Sequence, residues 1–344
     1  MAQINKPGLH FNTKLFTGNG ANDNAQTGVG FQPDWTWIKA RSQAYDHMIF
    51  DRVRQGAAAQ PFDIRSNNNS GQSTDTSGVK SFDSDGFTLN NGGYVNGNSV
   101  TFASWNWKAN GAGSANTDGT INTTSTSVNT TAGFSISTYT GTGANASFGH
   151  GLGVKPAMFI IKRLSAVEDW AVYHKSMTAS HYLNLNQNIA KDTNNRWNGE
   201  PTASLINLQN HDAVNGSGST YVCYAFAEKK GYSKFGSYTG NGNADGPFIY
   251  LGFKPAFVII KQTNTTNNWY MWDNKTSPFN VTNAYLRPDT AGAAGSYDWL
   301  DFVSNGIKIR NTSSGASTSG GTYIYMAFAE SALVGTNNIP GVAR

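Results

Sequence analysis

The feature that most constrains this fold is a set of short elements that occurs three times along the chain in the same order. Each copy opens with Thr-Gly-x-Gly, continues to a proline and then reaches an Ile-Lys pair. The opening elements lie at 17–20, 140–143 and 239–242. The prolines and lysines that follow them are Pro33 and Lys39, Pro156 and Lys162, and Pro255 and Lys261. Because the spacing is the same in every copy, the copies are repeats of one folding unit.

The size of this unit indicates a domain, since a unit of about 90–100 residues exceeds the roughly 20–50 residues of common solenoid repeats. We predict three tandem domains, called repeat 1, repeat 2 and repeat 3, over 15–111, 134–234 and 235–334. An N-terminal arm over 1–14 and a tail over 335–344 flank them. Residues 112–133 are almost entirely Gly, Ser, Thr, Asn and Ala, a composition typical of a flexible linker.

Apolar residues alternate with small or polar ones in the segment that closes each repeat, which is the period of a half-buried strand. The apolar positions are Ala103, Trp105 and Trp107, then Val222, Tyr224 and Phe226, and then Ile324, Met326 and Phe328. The segments after the three prolines are almost continuously apolar, which predicts central strands covered on both faces. Helical periodicity is scarce. The predicted fold class is all-β, with three tandem antiparallel β-sandwich domains.

Charge and composition argue against several classes of function. The formal net charge is +4, from 25 basic and 21 acidic residues, and Lys229-Lys230 is the densest basic pair. Phosphate backbones need clustered Lys and Arg, so no nucleic-acid partner is expected. No apolar run has membrane-spanning length and no signal-peptide pattern is present, so we expect no membrane insertion and folding in a cytoplasm. With Cys223 as the single cysteine, no disulfide can form within the chain.

No residue pattern predicts catalysis, a cofactor or a metal site. The Thr-Gly-x-Gly elements lack the Gly-Lys-Ser/Thr of a phosphate loop and are better explained as turns between strands. Residues 83–86, Asp-Ser-Asp-Gly, begin like a calcium loop but lack its distal glutamate, so a turn is expected there too. The six histidines form no His-x-x-x-His pair, and Gly-x-Ser-x-Gly is absent. The chain is therefore predicted not to be an enzyme.

Tryptophan supplies the only candidates for a binding site. Most of the nine tryptophans occupy positions that recur between the repeats and are predicted to be core. Trp197 and Trp299 fall outside those positions, which makes them candidates for a surface site. An exposed aromatic ring offers a flat apolar face on which a sugar can stack.

Several segments of this sequence resemble repeated β-domains found in structural and tail-fibre proteins of phages of aquatic bacteria. The segments that carry the likeness are 11–20, 28–34, 81–87, 235–242 and 323–330. The resemblance implies a component of the virion and brings no catalytic residues with it. A polar surface without disulfides or a signal suits a protein that is assembled in the host cytoplasm and released by lysis.

Two roles within the virion remain open at this point. One is a capsid decoration or cement protein, and the other is a short tail fibre or adhesin that contacts the host. The rival from another class is a lectin-like or depolymerase tail-spike module that acts on host-surface glycans. The expected partners are other virion proteins, in the capsid or the tail, and a host-surface glycan. Oligomeric state is open, with a homotrimer as one expectation.

Overall fold

The computed structural model describes residues 3–55, 60–193 and 195–334. Strands dominate, and the helical elements are single turns, so the all-β class predicted from the sequence is confirmed. The short helical elements are α1 (Gly93–Asn96), α2 (Asp212–Asn215) and two 3-10 turns, Pro7–Leu9 and Thr178–Ser180. The predicted tail over 335–344 lies outside the described residues.

Repeat 1 is a sandwich of two antiparallel sheets. Its strands are β1 (Phe11–Thr17), β2 (Asn24–Thr27), β3 (Trp35–Ala40), β4 (Met48–Asp51), β5 (Ile64–Arg65), β6 (Val79–Asp83), β7 (Gly86–Leu89) and β8 (Thr101–Trp107). One sheet has the order β1-β8-β3-β4-β5 and the other the order β2-β7-β6. Ile38 and Phe50 of the first sheet and Phe87 and Leu89 of the second share one buried core.

Repeat 2 has the same arrangement with a larger first sheet. Its strands are β9 (Ser125–Asn129), β10 (Phe134–Thr140), β11 (Ala146–Gly149), β12 (Met158–Arg163), β13 (Ala171–His174), β14 (His181–Asn184), β15 (Asp192–Thr193), β16 (Leu205–Leu208) and β17 (Thr220–Phe226). The sheet orders are β15-β14-β13-β12-β17-β10-β9 and β11-β16. Phe159 and Tyr173 pack with Phe148 and Ile206 between these sheets.

Repeat 3 pairs two four-stranded sheets. Its strands are β18 (Ser233–Thr239), β19 (Phe248–Tyr250), β20 (Phe253–Gln262), β21 (Trp269–Asp273), β22 (Thr282–Tyr285), β23 (Gly295–Val303), β24 (Gly306–Ile309) and β25 (Thr322–Ala332). The orders are β18-β25-β20-β21 and β19-β24-β23-β22. In every repeat the closing strand lies between the opening strand and the strand that carries the Ile-Lys pair. We call the sheet with these three strands the inner sheet, and its partner the outer sheet.

The inner sheets of the three repeats pack against one another through the faces that point away from their own sandwiches. These faces form one continuous apolar cluster. At its centre the equivalent residues Trp107, Phe226 and Phe328 form a triangle, with ring centroids 6.5, 5.5 and 6.0 Å apart. We call these three residues the aromatic hub. The closing strands are therefore buried on both faces, and the prediction of half-buried strands was wrong because packing between repeats covers the second face.

Polar contacts between repeats run round the hub as a closed ring. They start from one repeated position, the last residue of β4, β13 and β21, where Asp51, His174 and Asp273 are at most 2% exposed. The contacts are Tyr224 hydroxyl to Asp51 at 2.6 Å, His174 to the Tyr325 carbonyl at 3.2 Å, and Trp105 Nε1 to Asp273 at 3.2 Å. Repeat 1 thus contacts repeat 2, repeat 2 contacts repeat 3, and repeat 3 contacts repeat 1. This closure gives the chain pseudo-threefold symmetry.

The lysines of the repeated Ile-Lys pairs are buried at the same three interfaces. Lys39, Lys162 and Lys261 are each 0% exposed. Each Nζ donates to the carbonyl of the next residue in its own chain segment and to one carbonyl of a neighbouring repeat. Those neighbouring carbonyls belong to Ala291 at 3.1 Å, Asn69 at 3.2 Å and Asn188 at 3.4 Å, respectively. Burial lowers the pKa of all three lysines to about 8.

The segment between repeats 1 and 2 is ordered, so the prediction of a flexible linker over 112–133 was wrong. Its residues 125–129 form β9, an edge strand of the inner sheet of repeat 2. Ile121 is 5% exposed and packs in the sandwich core of that repeat. Hydroxyl groups supply further contacts, such as Thr126 with Ser137 at 3.0 Å. A composition rich in Ser and Thr did not reveal this, because Ile121, the partly buried Val128 and pairing with a free sheet edge order the segment.

The N-terminal arm is also part of the fold. Residues 11–14 belong to β1, and Ile4 is 8% exposed with its backbone N–H bonded to the Lys230 carbonyl at 3.0 Å. Gln3 donates to the Val334 carbonyl at 2.8 Å.

The contacts between repeats connect residues at equivalent positions of their inner strands. The equivalent strands of the three repeats therefore run in the same direction. We call the end that holds Gln3 and Val334 the terminal end.

The Thr-Gly-x-Gly elements lie at the opposite end, which we call the turn end. Each element leads from the inner to the outer sheet, so its interpretation as a turn is confirmed. The second glycines, Gly20, Gly143 and Gly242, have φ of +69°, +71° and +66°. A Cβ on the first glycines would clash with a backbone carbonyl, that of Gly97, Gly216 or Thr318. Both glycines are therefore required by backbone geometry, without any phosphate to bind.

The hub predicts that the three repeats unfold together. Phe328→Ala should lower the free energy of unfolding by about 3–5 kcal/mol, because it removes a ring that all three repeats contact. Urea titrations followed by tryptophan fluorescence and by far-UV circular dichroism should still coincide. Phe279→Ala, at a side chain 76% exposed, is the control and should change stability by less than about 0.5 kcal/mol. Separate transitions for the two probes would contradict a shared hub.

The buried lysines predict stability that rises with pH. A lysine in the unfolded chain has a pKa near 10.5, whereas each of these three has a pKa of about 8 in the fold. Between these values the unfolded chain holds protons that the folded chain has released, so the free energy of unfolding increases with pH. Lys162→Met should show a smaller increase than the wild type between about pH 7.5 and about pH 9.5 in urea titrations. An equal increase in both proteins would show that Lys162 does not titrate in this window.

Candidate functional site

The structure buries both tryptophans that the sequence offered for a surface site. Trp197 is 1% exposed and donates through Nε1 to the His181 carbonyl at 3.2 Å. Trp299 is 3% exposed and packs in the sandwich core of repeat 3, with its ring centroid 4.7 Å from that of Tyr270. Neither indole can present a face to a sugar, so the prediction is corrected for both residues. They lie outside the repeated positions because the outer sheets differ between repeats.

Exposed aromatic side chains nevertheless occur, and within the described residues the large ones all belong to repeat 3. They are Phe248 (50% exposed), Tyr250 (52%), Phe279 (76%) and Tyr297 (52%). Single exposed apolar residues are ordinary on a protein surface. Their restriction to one repeat of three is not expected from the pseudo-symmetry, and it singles out repeat 3 as the candidate binding surface.

Tyr297 lines a shallow pocket of about 440 Å³ at the turn end of repeat 3. The other lining residues are Ala244, Asp298, Arg310, Asn311 and Thr312. The Tyr297 ring makes a T-shaped contact with Trp299, with centroids 5.4 Å apart and planes inclined by 72°. Trp299 is thus the buried support of this pocket, although it is not itself a contact surface.

The walls of the pocket are held by hydrogen bonds between β23 and the residues that follow β24. The Arg310 N–H donates to the Trp299 carbonyl at 2.9 Å. The Asn311 amide donates to the carbonyls of Asp298 and Trp299, each at 3.0 Å, and is 5% exposed. These bonds fix the backbone on both sides of the Tyr297 ring.

Charges around the pocket are mostly paired. Arg310 Nε lies 3.3 Å from Asp301, and Lys308 lies 2.6 Å from Asp245. Lys308 lowers the pKa of the Asp245 carboxyl, whereas burial raises that of Asp301. Asp298, another residue that lines the pocket, is exposed, and its carboxylate takes part in neither of these two ion pairs. The pocket therefore has one exposed acidic residue and one partly exposed guanidinium group among its lining residues.

A second, more basic surface lies at the terminal end. Lys229, Lys230 and Lys234 line a groove of about 770 Å³ together with Tyr250. Lys234 Nζ donates to the Tyr250 carbonyl at 3.0 Å and lies 5.1 Å from the centre of its ring. The groove adjoins Gln3 and Val334, which stand next to the limits of the described residues.

Groups that could hold a metal or act as nucleophiles are dispersed. Among residues 3–55, 60–193 and 195–334, no three His, Cys, Asp or Glu side chains come close enough to hold a metal ion. Cys223 is buried, and burial raises the pKa of its thiol. Burial lowers the pKa of His150 and of His174 to about 4. Within the same residues, no helix has the length and apolar character to cross a membrane.

The calcium-like segment has a structural role in this fold. It is the turn between β6 and β7, as the sequence predicted. Its Asp85 carboxylate accepts the backbone N–H groups of Gly28 at 2.9 Å and Gly30 at 2.6 Å. These bonds lower the pKa of Asp85.

The support of Tyr297 by Trp299 can be tested with two substitutions. Trp299→Ala should lower the free energy of unfolding by about 3–5 kcal/mol, because it opens a cavity in the core of repeat 3. Tyr297→Ala should lower it by no more than about 1 kcal/mol, since half of that ring is already in water. Urea titrations of both variants measure the difference. Equal losses would mean that Tyr297 belongs to the core rather than to a surface.

Comparison with known proteins gives one match. The model of a family described as a domain of unknown function, DUF7483, matches residues 6–332. No curated protein and no solved structure matches the chain. The match spans all three repeats as a single unit, in agreement with the ring of contacts that joins them. The chain belongs to the DUF7483 family.

Proposed function

We propose that this chain is a non-enzymatic structural protein of a bacteriophage particle, exposed on the particle surface, where it contacts the host as part of a short tail fibre or adhesin. Its likeness in sequence to repeated domains of phage structural and tail-fibre proteins supports the virion assignment. The observation that carries the choice of role is that, within the part of the chain that the structure describes, large exposed aromatic side chains occur in repeat 3 alone, with Tyr297 at the turn end. A purely architectural ring of three similar repeats has no need for such a difference.

The two ends of the molecule carry different surfaces, which suits contact with the particle at one end and with the host at the other. The terminal end carries the basic groove formed by Lys229, Lys230 and Lys234, a surface suited to an acidic region of a neighbouring virion protein. The turn end carries the Tyr297 pocket. With the terminal end towards the particle, the pocket faces outwards to the host.

Capsid decoration is the second candidate, and the pseudo-threefold ring favours it. A chain whose three repeats point in one direction presents three similar surfaces, which suits a position where three capsid subunits meet. The Thr-Gly-x-Gly turns at 17–20, 140–143 and 239–242 are such a set. The expected homotrimer belongs to the fibre role, and sedimentation of the purified protein tests it.

Binding without hydrolysis is favoured over a depolymerase. Glycosidases place two carboxyl groups about 5–10 Å apart with one of them free to give up a proton. In the Tyr297 pocket, Asp298 is exposed and the neighbouring Asp301 is paired with Arg310. Because Asp301 is held in an ion pair with Arg310, it is not free to serve as the second carboxyl group of a glycosidase, and this favours binding over hydrolysis.

Electron microscopy of intact particles tests the proposal. Purified particles of the phage that encodes the chain are labelled with a gold-conjugated antibody raised against residues 134–334. Label confined to the tail end is the result expected for an adhesin. Label spread over the head would contradict the adhesin role and support capsid decoration. Particles without label would overturn the structural role altogether. Particles of an unrelated phage are the control for nonspecific labelling.

A further inference from the structure

We propose that the Tyr297 pocket binds a neutral pyranose sugar of a host-surface polysaccharide, an inference that rests on the proposed contact with the host. The first observation is the ring itself. Tyr297 is 52% exposed, yet its contact with the buried Trp299 limits its movement. A sugar that stacks on a ring already held in place loses little conformational entropy on binding.

The second observation is the set of polar groups around the ring. Asp298 provides an acceptor, and Arg310 provides donors, since its side chain is 45% exposed although its Nε lies 3.3 Å from Asp301. Thr312 adds an exposed hydroxyl group. A flat apolar surface flanked by a carboxylate and a guanidinium group matches a pyranose, which has an apolar C–H face and hydroxyl groups at its edge. Few polar groups beside an apolar surface are typical of small-molecule sites.

Charge decides between neutral and acidic sugars. Arg310 is paired with Asp301 and Lys308 with Asp245. Asp298 is then the unbalanced charge, so the pocket is slightly negative. A uronic or sialic acid would bring a second carboxylate next to Asp298, and like charges at an interface disfavour binding.

The size of the pocket sets the length of saccharide that fits. Its volume of about 440 Å³ lies near the low end of the range for small-molecule sites, about 300–1,000 Å³. One or two sugar units fill such a space. The pocket is open, so a longer polysaccharide can extend beyond it on either side.

Repeat 1 provides an internal comparison. Its segment Phe82 to Phe87 matches 302–307 of repeat 3 without a gap. The Asn90 N–H bonds to the Gly78 carbonyl as the Arg310 N–H bonds to that of Trp299, so Asn90 takes the position of Arg310. Because a bulge lies between Val79 and Ser81, Thr76 takes the position of Tyr297. Repeat 1 therefore has neither the ring nor the guanidinium group at this place. Within the described residues repeat 2 exposes no large aromatic side chain either, so a single sugar site of this kind is expected.

Ligand-observed saturation-transfer NMR on the full chain tests this inference. The probes are the methyl glycosides of glucose, galactose, mannose and N-acetylglucosamine, together with glucuronic acid and N-acetylneuraminic acid. Transfer to at least one neutral glycoside, and weaker transfer to both acids, is the expected result. Tyr297→Ala should weaken the binding of that glycoside by at least about tenfold. Tyr297→Trp should retain binding, because it keeps an aromatic face.

Tyr250→Ala is the matched control, since Tyr250 is equally exposed but lies at the terminal end. It should leave sugar binding unchanged. Absence of transfer to every neutral glycoside, equal binding by Tyr297→Ala, or preference for the acids would each overturn the inference. Tail-end antibody label together with any of these results leaves the proposed function standing without this site. Particles without label would remove the proposed function whatever the sugar result.

Discussion

The structure depends on the burial of a second face on each inner sheet. An inner sheet has one face in its own sandwich, and its other face would expose a stripe of aromatic and aliphatic side chains if the repeat stood alone. Around the hub of Trp107, Phe226 and Phe328, that stripe is removed from water by the other two repeats. Burial of each Phe-sized side chain contributes roughly 1.5–3 kcal/mol. The repeats therefore depend on one another.

The dry interfaces created by the hub explain the polar residues found in them. Lys39, Lys162 and Lys261 lose hydration on folding, and carbonyls from two repeats compensate each ammonium group. An unpaired buried polar group is costly, so each lysine requires a particular neighbour in a particular place. Asp51 and Asp273 likewise each accept a hydrogen bond from a particular side chain of another repeat, Tyr224 and Trp105 respectively. These directional hydrogen bonds fix the position of one repeat relative to the next, which apolar contacts alone do not do.

The outer sheets are free to diverge because they lie away from the hub. Repeat 2 has a two-stranded outer sheet, repeat 1 a three-stranded one and repeat 3 a four-stranded one. The candidate site uses this freedom: Tyr297 lies on β23, a strand whose counterpart in repeat 1 is shorter. An inner ring shared by the three repeats, with outer sheets that differ, is an arrangement in which one repeat can carry a binding surface while the others keep the fold.

The sequence by itself determined the threefold recurrence of its short elements, the β class and the turns, because strand period, spacing and glycine geometry are local properties. Its treatment of Trp197 and Trp299 failed, since residues outside a repeated pattern were taken as surface when they fill repeat-specific cores. It also took residues 112–133 for a flexible linker. Only the tertiary structure decided that the alternating closing strands are buried on both faces and that Tyr297, Asp298 and Arg310 meet at one pocket. These features depend on contacts between distant parts of the chain, which the period of a single strand does not encode.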